Sequence, residues 1–146
     1  MKILIAGGRE YSNYKVFKST VEKILVQLQY ESCYDKVIER KDFEIVQGGA
    51  KGVDSLAAKF SIEELGKKST EFLADWQNVN VKDVFIKYRD GKPYNANAGF
   101  QRNQKMVEYV QPDGIAIYFW NGESPGTKDC IKQAKKAGIR HFVATI

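Results

Sequence analysis

Three short segments join glycines to polar residues directly after apolar runs, and each could hold an anion. Gly7, Gly8 and Arg9 follow "ILIA"; Gly48, Gly49, Ala50, Lys51, Gly52 and Asp54 follow "FEIVQ"; Glu123, Ser124, Gly126 and Thr127 follow "IAIYFW". A strand that empties into glycines ahead of a helix presents backbone N–H groups and the positive end of a helix dipole, which is the chemistry of phosphate binding. The Thr127 hydroxyl would add a donor. Arg102 and Asn103 fall in the first turns of another helical stretch, "NAGFQRNQKM". A guanidinium there can take phosphate or ribose-linked oxygens two at a time. An arginine early in a helix also opposes the macrodipole, so it needs a reason to be there. No segment carries G-x-G-x-x-G or G-x-x-x-x-G-K-[ST], which excludes an ordinary dinucleotide fingerprint and a P-loop NTPase.

The elements that position these residues alternate along the chain. Ile3 to Ala6, Phe43 to Gln47, Thr70 to Ala74, Ile115 to Trp120 and His141 to Ile146 are predicted strands, several of them continuous apolar runs of the kind buried on both faces. Between them, Val16, Phe17, Thr20, Val21, Ile24, Leu25 and Leu28 recur at the helical period, as do Val53, Leu56, Ala57 and Phe60. Further helices are predicted from about Asn97 to Val110 and from about Gly126 to Ala137, with Gly66 and Gly138 as C-terminal caps. The alternation predicts an α/β fold, a Rossmann-like doubly wound parallel sheet of about five strands with helices on both faces. With strand order 3-2-1-4-5 the three loops converge at the carboxyl ends of the strands, where such folds bind ligands. The segment Trp76 to Gly99 has weak periodicity and reads as a long, functional connection.

Composition narrows the class. The 146 residues suit a single domain spanning 1–146, with 43% hydrophobic and 28% charged residues and a net charge of +5. The basic balance favours acidic partners, nucleotides or nucleic acid. Lys128, Lys132, Lys135 and Lys136 share one helical face and read as a solvated surface. Cys33 and Cys130 lie far apart and His141 is the one histidine, so neither a metal site nor a disulfide framework is expected. The N-terminal apolar run is too short for a signal peptide or a membrane span, and a cytoplasmic location without a membrane partner is the expectation.

Taken in order, GGAKGVDSLA, AGFQRNQKM and ESPGTKD resemble the SLOG superfamily, specifically its YspA-like branch. That branch is similar to the Lonely Guy phosphoribohydrolases and, more distantly, to the DNA-processing protein A domain. The resemblance covers nearly the whole chain and implies a Rossmann-like fold that binds nucleotides or nucleotide-derived ligands, with some branches cleaving an N-glycosidic bond. Relatives commonly form dimers, so it also implies a homodimer. Against the Lonely Guy motifs, an Arg-Lys pair and P-G-G-x-G-T-x-E-E, Arg102 matches the arginine and Asn103 replaces the lysine. Gly126 and Thr127 match G-T, while Asp129 and Cys130 stand where the two glutamates would be. The phosphate grip carries over; the acid machinery carries over only in part.

Cleavage of a base from ribose passes through an oxocarbenium-like state that a carboxylate can stabilise, or serve by activating water. Asp129, Glu123 and Arg102 are therefore the candidate catalytic residues, and Cys130 is read as buried. Arg9 and Glu10 border the site, Glu10 alternatively capping the first helix. Asp54 either compensates a helix dipole or contacts a ribose hydroxyl, and Trp76 either stacks on a base or belongs to the core. The expected ligand is a nucleoside monophosphate or an ADP-ribose-like compound, with no cofactor. The alternatives are a non-catalytic sensor or sequestering module, and a DNA-binding protein.

Overall fold

The computed structural model describes all residues, Met1–Ile146. Five parallel strands form one sheet: β1 (Lys2–Gly7), β2 (Glu44–Gln47), β3 (Thr70–Glu71), β6 (Ile115–Trp120) and β7 (Arg140–Thr145). Two others, β4 (Ile86–Arg89) and β5 (Lys92–Asn95), make a separate antiparallel hairpin. The helices are α1 (Tyr14–Glu31), α2 (Val53–Leu65), α3 (Ala98–Val110) and α4 (Pro125–Ala137). Strand order in the large sheet is β3-β2-β1-β6-β7, the predicted Rossmann-like order, with β1 hydrogen-bonded to β2 on one side and β6 on the other.

Alternation along β1 explains why both faces need covering. Ile3 and Ile5 point into a core shared with Phe17, Val21 and Leu25 of α1 and with Ala57 and Phe60 of α2. Leu4 and Ala6 point the other way, into a core built with Met106, Val107 and Val110 of α3 and Cys130, Ile131 and Ala134 of α4. Each fully buried Ile, Leu or Phe of this kind contributes roughly 1.5–3 kcal/mol relative to exposure. A run with no polar position can therefore settle only as a central strand.

Helix ends follow local chemistry. Asn13 caps α1 by accepting from the Val16 amide at 3.1 Å, so the capping role considered for Glu10 falls to Asn13. Pro125 opens α4, where its missing N–H costs nothing. Gly66 and Gly138 end α2 and α4 as predicted.

Two expectations about the middle of the chain are corrected. The third strand stops at Glu71, short of the predicted Ala74, and Trp76 lies beyond it. The Trp76 to Gly99 segment contains the β4–β5 hairpin, closed by Asp90 and Gly91 with φ of 52° and 75°. Both central residues in the left-handed region define a tight type I′ hairpin turn, for which Asp-Gly is a favoured pair. No helix is long and apolar enough to cross a membrane.

Candidate functional site

The sheet reverses its winding between β1 and β6, and a cavity of about 760 Å³ opens at the carboxyl ends of these two strands. Its walls come from all the expected loops. Gly7, Gly8, Arg9 and Glu10 line it after β1; Ala50 and Asp54 after β2; Ser124, Gly126 and Thr127 after β6; Arg102 and Asn103 from α3. Trp76, 38% exposed, stands at the rim with Phe100 rather than in the core.

The N-terminus of α4 is the helix end that leaves its first-turn amides open to the cavity. Asn121 Oδ1 accepts from the Glu123 and Ser124 amides at 2.9 Å each and closes the loop behind it. The Gly126 and Thr127 amides, in the first turn, have no acceptor in the protein. Thr127 is 4% exposed and its hydroxyl lies 3.4 Å from that of Ser124.

The β2–α2 loop is organised differently from the expectation. Gly49 donates to the Gln47 side chain, Ala50 to Asp54 at 3.1 Å and Val53 to the Gly8 carbonyl at 3.2 Å. The Gly49 and Ala50 amides expected to grip a phosphate are thus already paired, and Gly48, Gly49, Lys51 and Gly52 lie outside the cavity lining. The role of Gly48 and Gly52 is close approach. A Cβ on Gly52, whose φ is +72°, would sit 2.3 Å from the Gly8 carbonyl oxygen, and one on Gly48 would sit 2.5 Å from Arg102 Nη1. Only glycines let this loop lie against its two neighbours.

Arg102 is held by that arrangement. It donates through Nη1 to the Gly48 carbonyl and through Nε to Asn103 Oδ1 at 3.0 Å. Asn103, 5% exposed, passes the connection on, donating through Nδ2 to the Gly126 carbonyl at 3.2 Å. Arg102 makes no ion pair within 4 Å, and neither does Arg9. Burial pulls the Arg102 guanidinium below its usual range, opposed by the nearby Asp54 carboxylate. Burial likewise pushes the Asp54 carboxyl up, opposed by the Ala50 N–H and by Arg102. Asp54 is 7% exposed, so this cavity wall carries a desolvated carboxylate and a desolvated guanidinium side by side.

The two candidate acids move out of the site. Asp129 Oδ2 faces the α3–α4 seam, accepting from Gln133 at 2.7 Å and from Asn103 at 3.4 Å. Glu123 is exposed on the outside of the loop, and neither residue lines the cavity. The helical period explains the first: with Thr127 turned inward on α4, Asp129 is rotated about 200° away. Cys130 is buried as expected, and burial pushes its thiol up to about 12, so no thiolate forms near neutrality.

Residues the sequence reading passed over include Asn121, Tyr11 and Phe100, all in the lining. Asn121-Gly122 is a turn signal that was legible, because an Asn side chain readily accepts from amides two and three residues on. Tyr11 stacks on Phe119 at 6.0 Å between ring centroids, a tertiary contact with no sequence signature.

Over 142 residues, 94% of this chain and 91% of the relative, the sequence is 29% identical to the gene 61 protein of Mycobacterium phage D29. No protein-family model matches the chain, and no solved structure matches it.

Proposed function

We propose that the cavity binds a nucleotide-derived ligand, a nucleoside monophosphate or an ADP-ribose-like compound, and that the chain is a YspA-like member of the SLOG superfamily. The observation that carries this reading is the meeting, in one cavity, of the unpaired Gly126 and Thr127 amides with two guanidinium groups that form no ion pair within 4 Å. Amides and guanidiniums take phosphate oxygens with charge-assisted hydrogen bonds. Trp76 and Phe100 at the rim supply faces on which a base can stack. A cytoplasmic homodimer, twice the 16.6 kDa chain mass in sedimentation, belongs to the same proposal.

Hydrolysis of the ligand's N-glycosidic bond is the second reading. Asp54 favours it, as the one buried carboxylate in the lining. A carboxylate there can draw a proton from water as the oxygen attacks the anomeric carbon and the base departs. The displacement of Asp129 and Glu123 from the cavity favours binding without turnover.

Calorimetric titration with nucleoside monophosphates and ADP-ribose, repeated on Arg102→Ala, tests the binding reading. Saturable binding that weakens in the variant supports it; no binding across the panel, or unchanged affinity in the variant, removes it. Mass-detected chromatography of the same mixtures separates the two readings, since released base that vanishes in Asp54→Asn identifies a hydrolase.

A further inference from the structure

The β4–β5 hairpin stands apart from the main sheet and pairs with no other strand. Its root is fixed to the start of α3. Asn95 donates its amide to the Trp76 carbonyl at 2.6 Å and Ala96 to the Phe85 carbonyl at 2.7 Å, while Gln101 donates to the Lys82 carbonyl at 2.9 Å. An isolated two-stranded hairpin is marginal in water, so these bonds are what hold it in place.

Strand alternation sorts its side chains. Phe85, Lys87 and Arg89 share one face, and the register sets Tyr94 opposite Lys87 and Lys92 opposite Arg89 on that same face. Lys87 Nζ lies 5.5 Å from the Phe85 ring centroid and Arg89 Cζ 5.6 Å from that of Tyr94, confirming that rings and cations interleave. No carboxylate shares this face; Asp90 is in the turn and Asp83 precedes β4. None of the three cations enters an ion pair. Two like charges directly opposite one another on a sheet are destabilising, so the Arg89–Lys92 pair works against the hairpin unless an anion lies across it. Single lysines suffice to blunt an exposed strand edge. They leave the facing cations and the 54% exposed Phe85 unexplained.

We infer that this face of the hairpin binds single-stranded nucleic acid, with Lys87, Arg89 and Lys92 on consecutive phosphates and a base stacked on Phe85. The chemistry matches: cations that follow a backbone and aromatic faces that accept any base are the two components of sequence-tolerant single-strand binding. From Phe85 to Arg89 the strand rises about 13 Å, room for about two extended nucleotides. The surface is separate from the cavity, whose Arg9, Arg102, Gly126 and Thr127 take no part in it.

The test is fluorescence anisotropy of the full chain with a labelled oligothymidylate of about 12 nucleotides, within the usual footprint of such surfaces, carrying no terminal phosphate. Binding is expected at low salt, with log affinity falling linearly in log salt at a slope near −2, about 0.7 for each of three phosphates. The paired reversal Lys87→Glu with Arg89→Glu should lower affinity about tenfold or more and flatten the slope. Phe85→Ala should lower affinity about fivefold or more and leave the slope unchanged. Lys132→Glu with Lys135→Glu on α4, the same change in charge, should have a much smaller effect. Absence of binding at low salt, equal loss in the α4 variant, or tighter binding to the matching duplex would each overturn the proposal. Displacement of the oligonucleotide by excess nucleoside monophosphate would overturn it too, by assigning the binding to the cavity. The hairpin variants keep the cavity intact, so failure here leaves the cavity reading standing, and the reverse holds for Arg102→Ala.

Discussion

Arg102 Nη1 donates to the carbonyl oxygen of Gly48, a residue 54 positions earlier, and this contact joins the second glycine loop to the third helix. The absence of a side chain at Gly48 is what admits the guanidinium, because a Cβ there would overlap it. Through Asn103 the same chain of hydrogen bonds reaches the carbonyl of Gly126 at the start of α4. The guanidinium is thereby oriented by backbone on two loops, and for the proposed nucleotide ligand this lowers the ordering cost of binding.

Arg102→Lys tests that orientation. A lysine retains the charge but cannot hold the Gly48 carbonyl and Asn103 while presenting further donors. Calorimetry should show ligand affinity falling about tenfold or more, the worth of a charge-assisted hydrogen bond, with the fold retained by circular dichroism. Affinity equal to that of the unsubstituted protein would show that Arg102 contributes only charge.

Gly52→Ala should destabilise the fold itself. The added Cβ meets the Gly8 carbonyl at 2.3 Å, and the +72° φ is strained for any L side chain. A loss of roughly 2–3 kcal/mol and a fall in Tm of roughly 5–10 °C are expected in thermal unfolding. The equivalent change at Gly122, also at positive φ but with nothing within 4 Å, should cost less.

Asp54→Asn should separate stability from binding. Burial raises the Asp54 pKa in the folded state, so the folded protein holds this proton more tightly than the unfolded chain. Stability linked to this group is therefore greatest below the unfolded carboxyl pKa and declines as pH rises through the folded value. An asparagine can still accept from the Ala50 amide and carries no buried charge. Near neutral pH the variant should melt at a higher temperature than the unsubstituted protein, the gap closing in acid; a lower Tm at neutral pH would mean that the Asp54–Arg102 attraction outweighs burial.

Glu31 should titrate far below an ordinary glutamate. Its carboxylate accepts from Arg140 Nη1 at 2.6 Å and Nη2 at 3.0 Å and from Gln27 at 2.9 Å, and these hydrogen bonds hold its pKa at about 2. The folded pKa is depressed, so the pair's contribution is present above the unfolded value near 4.3 and is lost as pH falls toward 2. Both side chains are exposed and screened by solvent, so the effect on overall stability is small and the direct readout is NMR titration. Arg140→Ala should return the Glu31 carboxyl toward its ordinary range; an unchanged midpoint would mean that the ion pair does not persist in solution.

Apolar periodicity alone determined the frame of this protein. "ILIA" and "IAIYFW" have no polar position to turn toward water, so they can lie only in the middle of a covered sheet, and the helical repeats between them force parallel crossovers. That logic also placed the loops after β1, β2 and β6 together, and with them Arg102, Asp54 and Thr127. The hairpin turn was written in the sequence as Asp90-Gly91, although the flanking strands alternate too weakly for periodicity to reveal them.

Which groups face the cavity was decided only by the tertiary structure. Whether an amide is free depends on which acceptors the folded loop brings to it, and the Gly8 carbonyl, the Gln47 side chain and Asp54 took the Val53, Gly49 and Ala50 amides of the second loop. Whether a carboxylate reaches the site depends on helix rotation, which the packing of Cys130, Ile131 and Ala134 against β1 and β6 sets for α4. That rotation turns Thr127 inward and Asp129 toward Gln133. Sequence spacing specifies a residue's place on its own helix; the angle of that helix against the sheet is a property of the packed core.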